Sequence, residues 1–180
     1  MLETVTRSRD ENETEPLTGV SSVRTSQKEA GRIPSERVAA FKRRMGYYSK
    51  LNVLVYRLSL GHLMNTAMGG YPICIVSFTG AKTGRRRHIP LIHVPDARDI
   101  LLIGSQAGLD RDPIWVRSLL AHPEVSITFS GKTQHYTARL LAPAEKRAAW
   151  PHLCRIYPDY ETYQARTDRD IPVFRATLLR

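Results

Sequence analysis

Four cationic side chains lie within six residues of a glycine-containing turn and form the densest charge cluster of the sequence. Lys82, Arg85, Arg86 and Arg87 follow or interleave with small and hydroxyl residues in the segment 79–87. Backbone N–H groups, hydroxyls and guanidinium groups can together hold a phosphate or clustered carboxylates. A solvated basic hairpin tip and a nucleic-acid patch are the alternatives on composition, although neither an aromatic RNA-binding pattern nor a recognition helix is present.

A second segment, from Ser105 to Trp115, joins the end of a predicted strand to the start of a predicted helix. Small residues in such a loop leave backbone N–H groups accessible to an anion or to the polar edge of a flat ring. An ordinary strand-to-helix connection, with Trp115 in the core, is the alternative that the pattern leaves open.

Three tyrosines near the carboxyl end form the third candidate. Tyr160 and Tyr163 are three residues apart on one face of a short predicted helix, and Tyr157 lies at its entrance. Their flat faces and hydroxyl donors suit a substrate pocket. Ordinary packing is an equally good explanation of the pattern alone.

Other motifs with a known chemistry are missing from the sequence. The six histidines form no HExxH pair, and the predicted strand 87–94 would point His88 and His93 to opposite faces. There is no GxSxG elbow, no P-loop and no GxGxxG. Cys74 and Cys154 are far apart, so we expect neither a disulfide scaffold nor a zinc or other metal site, and a reducing cytoplasm is the natural setting.

The charge balance points to an anionic partner. The 180 residues carry 27 Lys and Arg against 17 Asp and Glu, a formal net charge of +10. Residues 1–34 have a net charge of −1 and a polar composition, so we predict a disordered tail followed by one domain, 35–180, with a net charge of +11. No apolar run follows a basic start, and Gly and Pro interrupt the uncharged stretch 58–81, which argues against a membrane span.

The elements that must position these residues can be predicted from hydrophobic periodicity. Ser35 can cap a helix to about Met45, and a second helix is expected over 49–68, so that helices occupy 35–68. Between their apolar residues lie Lys42, Arg43 and Arg44, which leaves open a helix packed on the core or one touching anionic lipid.

The rest of the chain alternates short strands with turns. Strands are predicted at 73–78, 87–94, 100–104, 125–129, 133–141 and 171–178, with a turn at 95–98; helices are predicted from Asp112 (N-cap) and Pro113 to His122, at 144–156 and after Pro158. About six strands joined mostly by tight turns favour an antiparallel barrel, hence an α+β fold with flanking helices.

In this order the motifs resemble the deazaflavin (coenzyme F420)-dependent nitroreductases of actinobacteria. The segments that carry the resemblance are Thr79–Gly84, Arg87–Leu91, Ser105–Trp115, His122–Val125 and the run from Trp150 to Pro172. Together they extend over about residues 40–178. Each motif alone is modest, but five in order at similar spacing are specific.

The resemblance implies a split β-barrel like that of the FMN-binding pyridoxamine-phosphate oxidases. It implies that reduced F420 binds in a barrel groove and donates hydride to a small electron-poor acceptor, namely a quinone, an enone or a nitro compound. Carried over, the residues toward the cofactor's phosphate and oligoglutamate tail are Lys82, Thr83, Arg87 and Pro90, with Arg85 and Arg86 compensating for Ala81, where an arginine is frequent. Those toward the deazaflavin are Ser105, Gln106, Ile114, Trp115 and Ser118, and those toward the acceptor are Ile92, Tyr157, Tyr160 and Tyr163. Ser105, Tyr157 and Tyr163 are the candidate catalytic residues.

Two departures from the family pattern bear on the acceptor and the cofactor. Ile92 stands where some nitroimidazole-reducing members have a tyrosine, which argues against nitroimidazoles, and Gln106 replaces a lysine of some members. An FMN- or haem-binding split barrel and a non-catalytic F420 carrier stay open as alternatives. The resemblance also implies that two barrels can pair as a homodimer. We expect no nucleic-acid partner, a cytoplasmic location, and residues 35–68 as the region for any peripheral membrane contact.

Overall fold

The computed structural model describes residues 35–58, 65–67 and 69–179 of the chain. The predicted disordered tail, 1–34, lies outside these residues. In chain order the elements are α1 (Ser35–Leu58), β1 (Ile73–Thr79), β2 (Arg86–Ile92), β3 (Val94–Asp96), β4 (Asp99–Ile103), a 3₁₀ turn (Gln106–Gly108), α2 (Ile114–Ala121), β5 (Glu124–Phe129), β6 (Lys132–Leu140), α3 (Pro143–Ile156), α4 (Asp159–Ala165) and β7 (Val173–Leu178).

The seven strands form one antiparallel sheet in the order β2-β1-β5-β6-β7-β4-β3. The two edge strands, β2 and β3, are consecutive in the chain and only His93 separates them. Both edges of the sheet must therefore lie side by side, and the sheet curls into a barrel that is split at this point. The predicted α+β split β-barrel is confirmed, with β3 as a strand beyond the six expected.

Alternation along the strands fills the barrel with apolar side chains. On β1, Cys74, Val76 and Phe78 belong to a buried cluster, and α2 adds Trp115 and Leu119 to it. Burying such a side chain contributes about 1.5–3 kcal/mol. This cluster fixes α2, and with it the loop that precedes α2, against the barrel.

A second buried cluster lies where α3 and α4 pack on the sheet. It joins Leu101 and Val173, from β4 and β7, to Leu153 of α3 and Tyr160 of α4. The tyrosine-bearing helix is thus held against the barrel by its own buried tyrosine.

The two predicted amino-terminal helices are one helix, α1. Gly46 does not interrupt it, because a glycine costs only about 1 kcal/mol in a helix interior. The second predicted helix, 49–68, also extended too far: Thr66 instead pairs with Pro72 across a turn in which Gly69 and Gly70 have φ of +88° and +81°. Residues 59–64 and 68 of that prediction lie outside the described residues.

The strand predicted over 87–94 ends at Ile92, so His88 and His93 do not share a strand. His93 leaves the ladder because its N–H donates to the Pro72 carbonyl at 2.8 Å and its ring stacks on Phe129 at 3.7 Å. The turn predicted over 95–98 is confined to the two residues 97–98. Pro95 instead belongs to β3, which is an edge strand, where a missing N–H is tolerated.

Candidate active site

The basic turn between β1 and β2 is fixed to helix α2. The Ala81 N–H donates to the Ser118 hydroxyl at 3.2 Å, and that hydroxyl donates to the Ile114 carbonyl at 3.3 Å. Within the turn, the Gly84 N–H donates to the Gly80 carbonyl at 2.8 Å. A β-carbon on Gly80 would lie 3.1 Å from the Arg87 guanidinium, so the small residue lets this side chain pack close to the turn.

Three cations of the turn have no counter-charge in the described part of the chain. Lys82, Arg85 and Arg87 are exposed, and none forms an ion pair with another described residue. Thr83 accepts a hydrogen bond at its hydroxyl from the Arg85 N–H at 3.4 Å. An anchored backbone that carries three unpaired cations suits an anionic ligand.

Arg86 is separated from this group, because neighbouring residues of a strand point to opposite faces. Arg87 stands opposite Phe78, whose side chain is in the barrel core. Arg86 reaches the other face, where its guanidinium donates to the Ser126 hydroxyl at 2.6 Å. Pro90, opposite Ile75, shares the face of Arg86.

The loop between β4 and α2 is strained. Gln106 and Ala107 adopt φ of +44° and +55°, which cost non-glycine residues about 1–3 kcal/mol each and concentrate at functional sites. The Gln106 side-chain oxygen Oε1 is buried and has no hydrogen-bond partner among the described residues. The Ser105 hydroxyl, at the same bend, makes no capping bond. These polar atoms are available to a ligand.

Arg169 holds this loop in place. Its guanidinium donates to the carbonyls of Ser105 at 2.6 Å, Gly104 at 3.0 Å and Leu109 at 2.7 Å, and it pairs with Asp112 at 2.7 Å. Asp112 is therefore engaged in this pair, and α2 begins at Ile114 with Pro113, not Asp112, at the N-cap. Sequence reasoning missed Arg169, because nothing in an exposed-looking Asp-Arg-Asp run indicates a buried clamp.

The predicted residues of α2 have different surroundings. The Ile114 side chain is 68% exposed, whereas Trp115 is 2% exposed and packs on Phe174 in the core. Ser118 is also buried, where it holds the turn. Only Ile114 presents its side chain to solvent beside the strained loop.

The tyrosines form one aromatic cluster, to which the structure adds Tyr71. The Tyr157 and Tyr163 hydroxyls are 3.1 Å apart, and the rings of Tyr71 and Tyr157 meet edge to face at 4.8 Å. Tyr160 is 4% exposed, so its ring supports the others from the core. Ile92, like Tyr157 and Tyr163, packs against the buried hydrophobic cluster that contains Tyr160.

The surroundings of Tyr157 favour its protonated form. Burial, followed by the hydrogen bond with Tyr163, raises the pKa of Tyr157 well above its ordinary value. A phenol that is protonated throughout the neutral range is a hydrogen-bond donor rather than a base.

The loop and the tyrosine helix are in direct contact. Gly108 has φ of +76°, and a β-carbon there would lie 2.6 Å from the Tyr163 carbonyl oxygen. Of the predicted site residues, the structure therefore brings the turn, the loop and Ile114 together around α2, and it places that loop against the helix that carries Tyr160 and Tyr163.

The sequence is similar to one protein family and to individual relatives that carry the same description. The family model "F420H(2)-dependent quinone reductase" matches residues 48–177. An F420H(2)-dependent quinone reductase of Mycobacterium tuberculosis is 32% identical over 129 residues, which cover 69% of this chain and 85% of the relative. A second protein of M. tuberculosis, named a putative member of the same class, is 26% identical over 102 residues, 57% of this chain and 86% of the relative.

Two solved structures are also similar to this chain. An F420-H2 dependent reductase, FDR-A, is 36% identical with a TM-score of 0.55 and covers 58% of this chain and 93% of its own. A structure described as a domain-swapped dimer is 31% identical with a TM-score of 0.56 and covers 71% and 99% of the two chains.

Proposed function

The chain belongs to the F420H(2)-dependent quinone reductase family, and we propose that its basic turn and strained loop hold reduced F420 beside a quinone-binding tyrosine cluster. The protein is an F420H2-dependent oxidoreductase, which is the class that the family resemblance implied. The observation that carries the site proposal is the common support of both cofactor segments by α2. Ser118 fixes the turn to this helix, and the strained loop leads into it.

The residues present fit the chemistry of F420. Its phosphodiester and oligoglutamate tail need cations, and Lys82, Arg85 and Arg87 are exposed and unpaired among described residues. Its polar ring edge needs hydrogen-bonding groups, which the buried Gln106 amide and the Ser105 hydroxyl supply. Reduced F420, when bound, supplies a hydride. Thr83 would add a hydroxyl to the tail site and Ile114 an apolar contact to the ring; Trp115 and Ser118 would act by positioning the backbone.

The tyrosine cluster would bind the acceptor. The hydroxyl of Tyr157 or Tyr163 can donate a hydrogen bond to a quinone oxygen and so stabilise negative charge as it develops there. Either phenol, or water, can then deliver the proton that completes the reduction. Ile92 offers an apolar contact, and buried Tyr160 fixes the positions of the other rings.

The decisive experiment is titration of the purified protein with F420 and with FMN, followed by oxidation of F420H2 with menadione. We expect saturable F420 binding and quinone-dependent oxidation. Binding of FMN alone would favour the flavin-binding alternative, and a steady absorbance in the Soret region would favour haem. Binding of F420 without oxidation by any acceptor would identify a carrier.

Helix α1 favours a peripheral contact with an anionic membrane, which we propose as the source of a lipid-soluble quinone. Tyr47, Leu51 and Leu54 are 71%, 54% and 55% exposed and recur at helical spacing, and Lys42 and Lys50 are exposed on the same helix. No helix among the described residues is long and apolar enough to cross a membrane. Sedimentation with phosphatidylglycerol vesicles should retain the protein, and the double variant Leu51→Asp, Leu54→Asp should abolish retention.

We also propose a cellular location and an oligomeric state, each from a single observation. Cys74 and Cys154 are free thiols, which suits a cytoplasmic, reducing compartment. A homodimer is supported by the solved relative described as a domain-swapped dimer. Light scattering at micromolar concentration tests it, and a monomer mass would reject it.

A further inference from the structure

A polar row crosses the outer face of the sheet at right angles to four adjacent strands. His88 of β2 stands opposite Ser77 of β1, Ser77 stands opposite Ser126 of β5, and Ser126 stands opposite His135 of β6. These residues point away from the barrel core, since Val76 and Ile127, their chain neighbours, belong to it. Polar side chains on a face that is largely covered need hydrogen-bonding partners.

The row forms the floor of a groove of about 470 Å³, the size of many small-molecule sites. Tyr56 of α1 closes one side: it is 1% exposed, and its hydroxyl approaches the Thr128 carbonyl at 3.5 Å. Ser77 and Ser126 are 8% and 5% exposed. The groove thus lies between the sheet and the amino-terminal helix, away from the turn and loop assigned to the cofactor.

Hydrogen bonds link the polar side chains along the floor of the groove. The Ser126 hydroxyl oxygen accepts from Arg86 at 2.6 Å and is hydrogen-bonded to His135 Nδ1 at 3.2 Å. The tautomer of the imidazole decides which atom donates in the bond to His135. The Ser77 hydroxyl is bonded in the same manner to His88 Nδ1, at 2.7 Å.

Among the described residues, no carboxylate lies beside Arg86 in the groove. The described lining residues include one arginine and two histidines but neither Asp nor Glu. Glu124 is on the same face of β5 as Ser126 yet is not among these lining residues, and it forms no ion pair with Arg86. A guanidinium without a described carboxylate partner, next to hydroxyl and imidazole groups, suits an anion.

We propose that this groove is a second anion-binding site, which takes a small carboxylate or phosphate through Arg86 with His135. It goes beyond the cofactor site, because β2 directs Arg87 and Arg86 to opposite faces. This role of Arg86 differs from the contact with the cofactor tail that the family resemblance implied.

The test is titration of the F420-free protein with glutarate and with inorganic phosphate, followed through the imidazole signals of His88 and His135 by NMR. We expect saturable shifts with one of the two anions, at least ten-fold weaker binding in Arg86→Gln, and unchanged binding in the control Arg98→Gln. His135→Gln should also weaken binding. No saturation at millimolar anion, or equal binding by Arg86→Gln and the wild type, would overturn the proposal.

A second arm distinguishes a free anion from the cofactor's own glutamate tail. The same titration is repeated on protein saturated with F420. Retained binding, with F420 affinity unchanged in Arg86→Gln, supports a separate ligand. Displacement by F420, together with a loss of F420 affinity in Arg86→Gln as large as in Arg87→Ala, would reject a separate site. Because the first arm contains no F420, failure of the cofactor proposal leaves its result readable.

Discussion

The Arg169 guanidinium donates to the Ser105 carbonyl oxygen at 2.6 Å, from a position 64 residues further along the chain. Arg169 follows α4, which carries Tyr163, whereas Ser105 begins the strained loop before α2. This bond connects the segment assigned to the deazaflavin with the segment assigned to the acceptor. Arg169 therefore contributes to the relative position of the two proposed substrates.

Replacement of Arg169 by Gln should weaken F420 binding and lower kcat. The variant loses charge-assisted bonds to Ser105 and Asp112, each worth about 1.5–3 kcal/mol when partly buried. We expect F420 affinity to fall roughly 10-fold or more, since the loop can relax its positive φ values at Gln106 and Ala107.

Fluorescence titration with F420 measures the effect, and a melting curve measures accompanying instability. The control is Arg139→Gln, which removes an exposed pair with Glu145 far from the loop. Arg169→Lys keeps the charge but not the branched donor set, so it should restore only part of the affinity. Full affinity in Arg169→Gln would contradict the clamp.

Removing the charges of the turn should weaken F420 binding and reduce its salt dependence. Lys82→Ala and Arg87→Ala each delete an exposed cation without an ion pair among described residues. Since screening acts on the remaining charge pairs, the double variant should lose less affinity than the wild type between low and high salt. The dissociation constant measured at several salt concentrations gives both quantities.

The matched control is Arg98→Ala, which removes an exposed cation from the β3–β4 turn. It should leave both the affinity and its salt dependence unchanged. If the turn variants bind F420 as tightly as the wild type does, the tail site lies elsewhere.

Much of the fold could be predicted because β-branched runs bounded by turn residues indicate short strands. The run Ile73–Phe78 predicts β1 to within one residue, and the strands predicted at 125–129 and 133–141 agree with β5 and β6 to within one residue at each end. The continuity of α1 could not be predicted, since Gly46 suggests a break that costs too little to occur.

Local spacing in the sequence predicts the basic turn and the tyrosines as candidates, but it does not predict which distant segments meet. Alternation along β2 directs Arg86 and Arg87 to opposite faces, and strand pairing decides which face is covered. Tyr71 and Arg169 reach the site from segments far along the chain, so no local pattern indicates them.

Replacement of the Tyr157 or Tyr163 hydroxyl should lower kcat while F420 affinity is kept. Phe retains the ring contacts but removes the donor, and loss of a general acid costs about 10²–10⁴-fold in rate. Steady-state oxidation of F420H2 by menadione measures it. An equal loss of F420 affinity would instead place these tyrosines in the cofactor site.

The dependence of kcat on pH tests the role of Tyr157 without a substitution. An ordinary tyrosine loses its proton near pH 10. Burial and the bond to Tyr163 raise the pKa of Tyr157, so its donor form persists as the pH rises through that value. We expect no fall in kcat between pH 8 and about 10 from this group, and a fall centred near pH 9 would contradict the assignment.

Substitution of Gly108 by Ala should separate the strained loop from the tyrosine helix. The new β-carbon would lie 2.6 Å from the Tyr163 carbonyl oxygen, and φ of +76° is unfavourable for alanine. Gly84→Ala is the matched control, because Gly84 has φ of +64° but nothing within 4 Å of its would-be β-carbon. Both variants bear the conformational cost, about 1–3 kcal/mol, so the difference between their free energies of unfolding isolates the clash. We expect Gly108→Ala to be the less stable by a further 1 kcal/mol or so, and to lose menadione turnover. Equal stability of the two would show that α4 moves freely relative to the loop, and the proposed coupling of the two substrate sides would then be wrong.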